Sequence, residues 1–178
     1  MAGAAPAAAP ELPPQEGMTA MSTTTLHHGL GLQRALRLLC WPAALWIAYE
    51  LLWYEQFKLT GNEGSVYLFT ILSDWLGTPG GEKPFRLFVA LIEIVAAVLV
   101  LIPRSQALGG LLTVGIMGGA IFFHTVSPLS IDPFGDGGVL FKEACFTFLM
   151  GLLIAWVRRD ELLALARRLA RRLRPAAA

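Results

Sequence analysis

Glu50, Tyr54, Lys58, Glu93, His124, Lys142 and Glu143 have the types and spacing for proton chemistry at a buried site. Glu50, Tyr54 and Lys58 stand at i, i+4 and i+8, which places them on one stripe of a helix. Glu93 is the single charge in the apolar run Phe88–Val95, His124 closes a second run, and Lys142-Glu143 opens a third. A carboxylate accepts a proton and a histidine or lysine donates one, so the set suits acid–base work at a bound headgroup. Glu93, Glu50, Lys58, His124 and Lys142 are the candidate catalytic groups, with Tyr54 and Glu143 as candidate cofactor contacts. The competing reading is a pair of register-fixing ion pairs, Glu50–Lys58 and Glu93–Lys142. Buried ion pairs are not obviously more stabilising than apolar packing, so a bundle needing only stability would omit them. Glu55 lies off the stripe, near the outer boundary, and reads as wet. No metal site is expected: His27-His28 reads as solvated tail. Cys40 and Cys145 have no CxxC spacing, and lie near opposite membrane faces, so they cannot pair within one chain. Cys145 reads as a small packing residue.

The elements that carry these groups are apolar. Hydrophobic residues make up 55% of the 178-residue chain and charged residues 15%, against roughly 25% charged in soluble domains. Apolar stretches at 36–57, 85–102, 107–126 and 139–157 each match the roughly 20 residues that cross a bilayer. The expected fold is therefore an all-α membrane protein, a four-transmembrane-helix bundle spanning residues 34–157. Pro42 falls in the first turns of helix one, where a missing N–H is tolerated. Pro103 closes helix two, and the short link through Arg104-Ser105 makes helices two and three an antiparallel hairpin. Ten of the 14 Lys and Arg residues flank the spans on one side: Arg34, Arg37, Arg104 and seven arginines from Arg158 to Arg174. That bias predicts an N-in, C-in multi-pass membrane protein. All seven candidate groups then fall in the outer half of the bundle, and a one-sided polar cavity is expected there. Ionisable groups inside spans mark function by default.

The remaining segments are read from pattern. Phe69, Leu72 and Leu76 form an apolar stripe over 66–76, which predicts a short outer helix, an interfacial anchor in preference to a lid. Residues 158–178 form a cytoplasmic basic amphipathic helix and tail, with Leu162, Leu165, Leu169 and Leu173 on one face. The expected partner of that helix is anionic membrane lipid, not nucleic acid. Gly115 and Gly119 form a small-xxx-small face for close helix contact, within the bundle or in a homo-oligomer. Residues 1–33, rich in Ala, Pro, Ser and Thr, read as a disordered cytoplasmic tail without a secretory signal, and Met18 and Met21 are alternative starts.

Together these features resemble the DoxX family of small bacterial membrane proteins. The resemblance lies in three places over about residues 40–157. The first is the helix end Tyr54-Glu55-Gln56-Phe57-Lys58-Leu59-Thr60-Gly61. The second is Phe88-Val89-Ala90-Leu91-Ile92-Glu93-Ile94-Val95, closed by Leu101-Ile102-Pro103-Arg104. The third is the small-residue helix that ends at His124. It implies a quinone as cofactor and a quinone-linked oxidoreductase or redox-complex subunit, since some relatives form part of thiosulfate:quinone oxidoreductase. The four-helix form is also similar to the vitamin K epoxide reductase type, but the cysteine pair of that chemistry is missing. No haem, flavin or metal motif is present. The alternatives are a non-catalytic membrane subunit or assembly factor, and a small-solute transporter acting as an oligomer. The turn Asp132-Pro133-Phe134-Gly135-Asp136-Gly137-Gly138 has no role in this reading.

Overall fold

The computed structural model of the chain describes the backbone of residues 16–173 and the side chains of residues 35–171. The described residues contain only helices: α1 Glu16–Thr60, α2 Glu63–Trp75, α3 Glu82–Leu101, α4 Gln106–Val126, α5 Val139–Val157 and α6 Arg159–Leu173. The bundle lies in the second of two compact units, Leu36–Ala178. The expectations for the 1–33 tail, His27-His28, Arg34, Arg172, Leu173 and Arg174 lie outside the described side chains. Helices long and apolar enough to cross a membrane cover Ala35–Thr60, Glu82–Leu101, Gln106–Val126 and Val139–Val157. Large apolar side chains cover the outside of the bundle: Leu45, Leu91, Val98 and Leu149 are all more than half exposed. Such a surface suits lipid and would drive association in water.

Pro42 departs from expectation. The α1 backbone is already helical from Glu16, so Pro42 is an interior proline and not an N-terminal one. Membrane helices tolerate this because neighbouring groups can satisfy the freed carbonyl.

Packing is tightest at the end of the bundle where α6 begins. There α1 buries Cys40, Ala43, Ala44 and Ile47 against Ala96, Ala97 and Val100 of α3, with Ile154 of α5 completing the core. Glycines let the backbones meet. A Cβ on Gly109 would lie 2.4 Å from the Val100 nitrogen, and one on Gly151 would lie 3.0 Å from the Gly110 oxygen. The α3–α4 hairpin closes as expected, with Ser105 Oγ donating to the Leu99 carbonyl at 3.0 Å. Arg158 was expected on the exposed basic face. It is instead buried, and donates to the Pro103 carbonyl at 2.8 Å and to Glu161 at 3.0 Å. That contact ties the start of α6 to the hairpin turn. Arg167, Arg168 and Arg171 of α6 are exposed, as are Leu163, Leu165 and Leu169.

The opposite end is looser. The close helix contact expected at Gly115 and Gly119 within the bundle is not made among the described residues. A Cβ at either position would meet nothing within 4 Å. The helices therefore touch at the α6 end and part towards the other, and a cavity occupies the gap.

Candidate functional site

The cavity is about 550 Å³, within the range of sites for drug-sized molecules. Its walls are the last turns of the α1 and α4 spans and the first turns of α3 and α5, with Phe57, Phe85, Phe88 and Phe123 among the apolar lining. The α2 helix covers it: Ser65, Leu68, Phe69 and Leu72 line the cavity. Phe69 and Leu72 of the expected stripe are buried, while its third member, Leu76, is half exposed and Ser73 is buried in the last turn instead. Aromatic contacts hold α2 on the bundle. Phe69 meets Phe85 edge-on at 5.4 Å, and Phe85 meets Phe123 of α4 at 6.2 Å. Asn62 starts α2 by accepting the Gly64 N–H at 3.0 Å.

Of the seven sequence candidates, Glu50, Tyr54, Lys58, Glu93 and His124 line this cavity. Lys142 does not, and its side chain is exposed. Both expected ion pairs are replaced. Lys58 Nζ pairs with Glu93 across the α1–α3 contact and with Glu55 on its own helix at 3.2 Å. The phase of a helix is readable from sequence, but the neighbour it faces is not: Glu93 takes Lys58 of α1 and not Lys142 of α5. Glu55, expected to be wet, is 4% exposed. Its i, i+3 spacing to Lys58 was the signal for this pair. Two carboxylates thus share one ammonium, and the cluster can take up one further proton and become neutral.

Arg86 is a second group that the sequence reading missed. It is buried and donates to Glu82 one turn back and to the Lys58 carbonyl. A guanidinium at the carbonyl end of a helix satisfies its open acceptors and suits the dipole there. Gly61 follows with φ of +71°, which lets the chain turn sharply under Arg86 into α2. This brace fixes Lys58 at the cavity.

Tyr54 donates to Glu143 Oε2 at 2.5 Å, joining α1 to α5. Glu143 is therefore engaged by Tyr54 and stands behind the cavity wall. One turn deeper, Trp46 Nε1 donates to Thr147 Oγ1 at 3.0 Å and joins the same two helices.

His124 and Glu50 remain. His124 Nδ1 lies 2.7 Å from the Ser130 carbonyl. A carbonyl only accepts, so Nδ1 carries the proton and Nε2 is the lone-pair nitrogen of the neutral ring. Glu50 is 6% exposed and lines the cavity. Its carboxylate has no hydrogen-bond or ion-pair partner among the described residues, whereas the other cavity carboxylate within a span, Glu93, is paired.

The turn 132–138 now has a structural role. Asp132 accepts the N–H groups of Asp136 at 2.9 Å and Gly137 at 3.1 Å. Asp136 accepts those of Gly138 at 3.0 Å and Val139 at 3.1 Å, at the start of α5. Desolvation raises the Asp132 carboxyl, but hydrogen bonds from the Gly138, Gly137 and Asp136 N–H groups and the Asp136 side chain together outweigh it and hold the group below its ordinary value. The turn places Phe134 on the cavity, where its ring lies 6.3 Å from Tyr67 of α2. Among the described residues no group of acidic, histidine or cysteine side chains could hold a metal ion. Compared with the known protein families, with curated proteins and with solved structures, the chain finds no match.

Proposed function

We propose that the chain is a quinone-linked redox protein of the bacterial inner membrane, of DoxX type, whose cavity holds a quinone headgroup. Glu50 carries this reading. Its carboxylate lines the cavity without a partner among the described residues, and a hydroxyl of a bound hydroquinone would engage it. The cavity suits the two oxidation states. Carbonyl oxygens would accept from Lys58, and hydroxyls would donate to Glu50 and to His124 Nε2. A bound quinone–quinol couple would supply exchange of two electrons and two protons, the electrons coming from a reduced substrate or passing to an oxidised partner protein. The residues of the chain handle the protons. His124 takes or returns one at Nε2, with Ser130 keeping the other nitrogen protonated. Glu50 takes or returns the second. The Glu55–Lys58–Glu93 cluster holds a further proton beside them. The basic residues at the α6 end support an N-in, C-in orientation, with the cavity on the outer side.

A second occupant is favoured by one observation. Carboxylates outnumber cations around a cavity walled by phenylalanines, which suits an apolar cation held partly by ring faces. That is the transporter reading. Titration of quinol, kept reduced, into the purified protein in nanodiscs separates the two. Saturable quinol binding is expected, weakened about tenfold or more by Glu50→Gln with a melting temperature equal to or above that of the wild type. Unaltered quinol binding by Glu50→Gln, or binding of tetraphenylphosphonium without quinol, would overturn the proposal.

A further inference from the structure

The cavity has two unlike margins. Asn62, Phe134 and Asp136 line it and are exposed, beside the polar turns at the end of the bundle. Phe88 and Gly115 also line it and are exposed, but they sit on α3 and α4, within the spans. Gly115 is near the middle of Gln106–Val126. At that depth the surroundings of the bundle are hydrocarbon, so an opening there meets lipid and not water.

Glycine placement makes this opening. Gly109 brings α4 against the Leu99–Val100 backbone, and the antiparallel register then sets Gly115 and Gly119 level with the stretch Val89–Glu93 of α3. Neither glycine has a neighbour that a Cβ would touch. A side chain at these positions would have closed the gap. Polar solutes gain nothing by such a route, because crossing hydrocarbon strips their water.

We infer that the cavity is loaded sideways from the bilayer, through a window between α3 and α4 at Phe88, Gly115 and Gly119, by a molecule whose polar head reaches Glu50 while a long apolar tail stays in the window. The inference rests on the headgroup reading for its ligand, but the window itself is tested separately.

The variant Gly115→Leu, Gly119→Leu fills the window, and the free space at both positions lets it fold. In nanodiscs its melting temperature should match the wild type. It should bind a long-tailed ubiquinone about tenfold or more weakly and bind the same benzoquinone head without a tail as the wild type does. Equal loss of both probes, or loss of neither, would overturn the window. A second measurement does not depend on quinone. A bimane label at Gly119→Cys, with Cys40→Ala and Cys145→Ala, should be quenched by phospholipids brominated on the acyl chain. Absence of quenching overturns the window even if quinone binds. Quenching without any quinone binding by the wild type leaves the window standing and removes the quinone.

Discussion

Glu50 and Glu93 are both buried carboxylates on the cavity wall, yet their substitutions have different consequences. Glu50 has no partner among the described residues, so Glu50→Gln removes a desolvated charge and leaves nothing stranded. Its thermal stability in nanodiscs should equal or exceed that of the wild type. Lys58 is the partner of both Glu55 and Glu93. Lys58→Met leaves two carboxylates side by side and should cost about 3–5 kcal/mol, measured by unfolding in mixed micelles. Adding Glu55→Gln and Glu93→Gln should recover most of that loss, because no charge then remains to be paired. No recovery would mean that the Lys58 stem, not its charge, holds the α1–α3 contact. At this scale the sequence showed which helix face carries the ionisable groups, because side-chain periodicity is local. Partner choice was not legible, since it depends on how helices turn against one another. Hence Lys142 was placed in the site, while Glu55 and Arg86 were left out of it.

Among the elements, the glycines of α4 divide into two classes by what a Cβ would meet. Gly109→Leu forces backbone atoms apart at the α3–α4 contact and should unfold or mis-assemble the bundle, seen as loss of the monodisperse species in detergent. Gly118→Ala, whose nearest neighbour would be the Phe148 ring at 3.5 Å, should be tolerated. The run of glycines in helix three was plain in the sequence, but which of them face a helix and which face space was not. The first and last turns of α2 show the same limit: its stripe was legible, but its cover over the cavity depended on the rings of Phe85 and Phe123. The turn before α5 responds to acid alone. The Asp132 carboxyl is held below its ordinary value, so its contribution is complete above that value and is lost as pH falls through the lowered one. Amide exchange at Gly137 and Asp136 should therefore stay protected through mild acid and rise only below the ordinary aspartate range. Loss of protection near neutral pH would show that the turn is held by something other than this carboxylate.

For the whole molecule, the four spans were the most legible feature, because length and apolar composition suffice to define them. The cavity was legible only as a depth, from the fact that all ionisable groups in the spans fell towards one end. Its volume came from the contrast between glycine-zipped and open ends, which no single segment encodes. The proposed N-in, C-in orientation, drawn from the arginines beyond α5, would open it on the outer side. Cysteines placed at Asp74 and Asp132 should react with a membrane-impermeant maleimide added outside intact cells, and a cysteine at Arg168 should react only after permeabilisation. The reverse pattern would turn the cavity towards the cytoplasm. The claim on which the rest depends is that a quinone occupies the cavity against Glu50. Native mass spectrometry of the protein released from its own membrane in nanodiscs tests it directly. Kept under reducing conditions, the wild type should carry a single adduct with the mass of the host quinol, and Glu50→Gln should lack it. No such adduct on the wild type, or an equal adduct on Glu50→Gln, would contradict it.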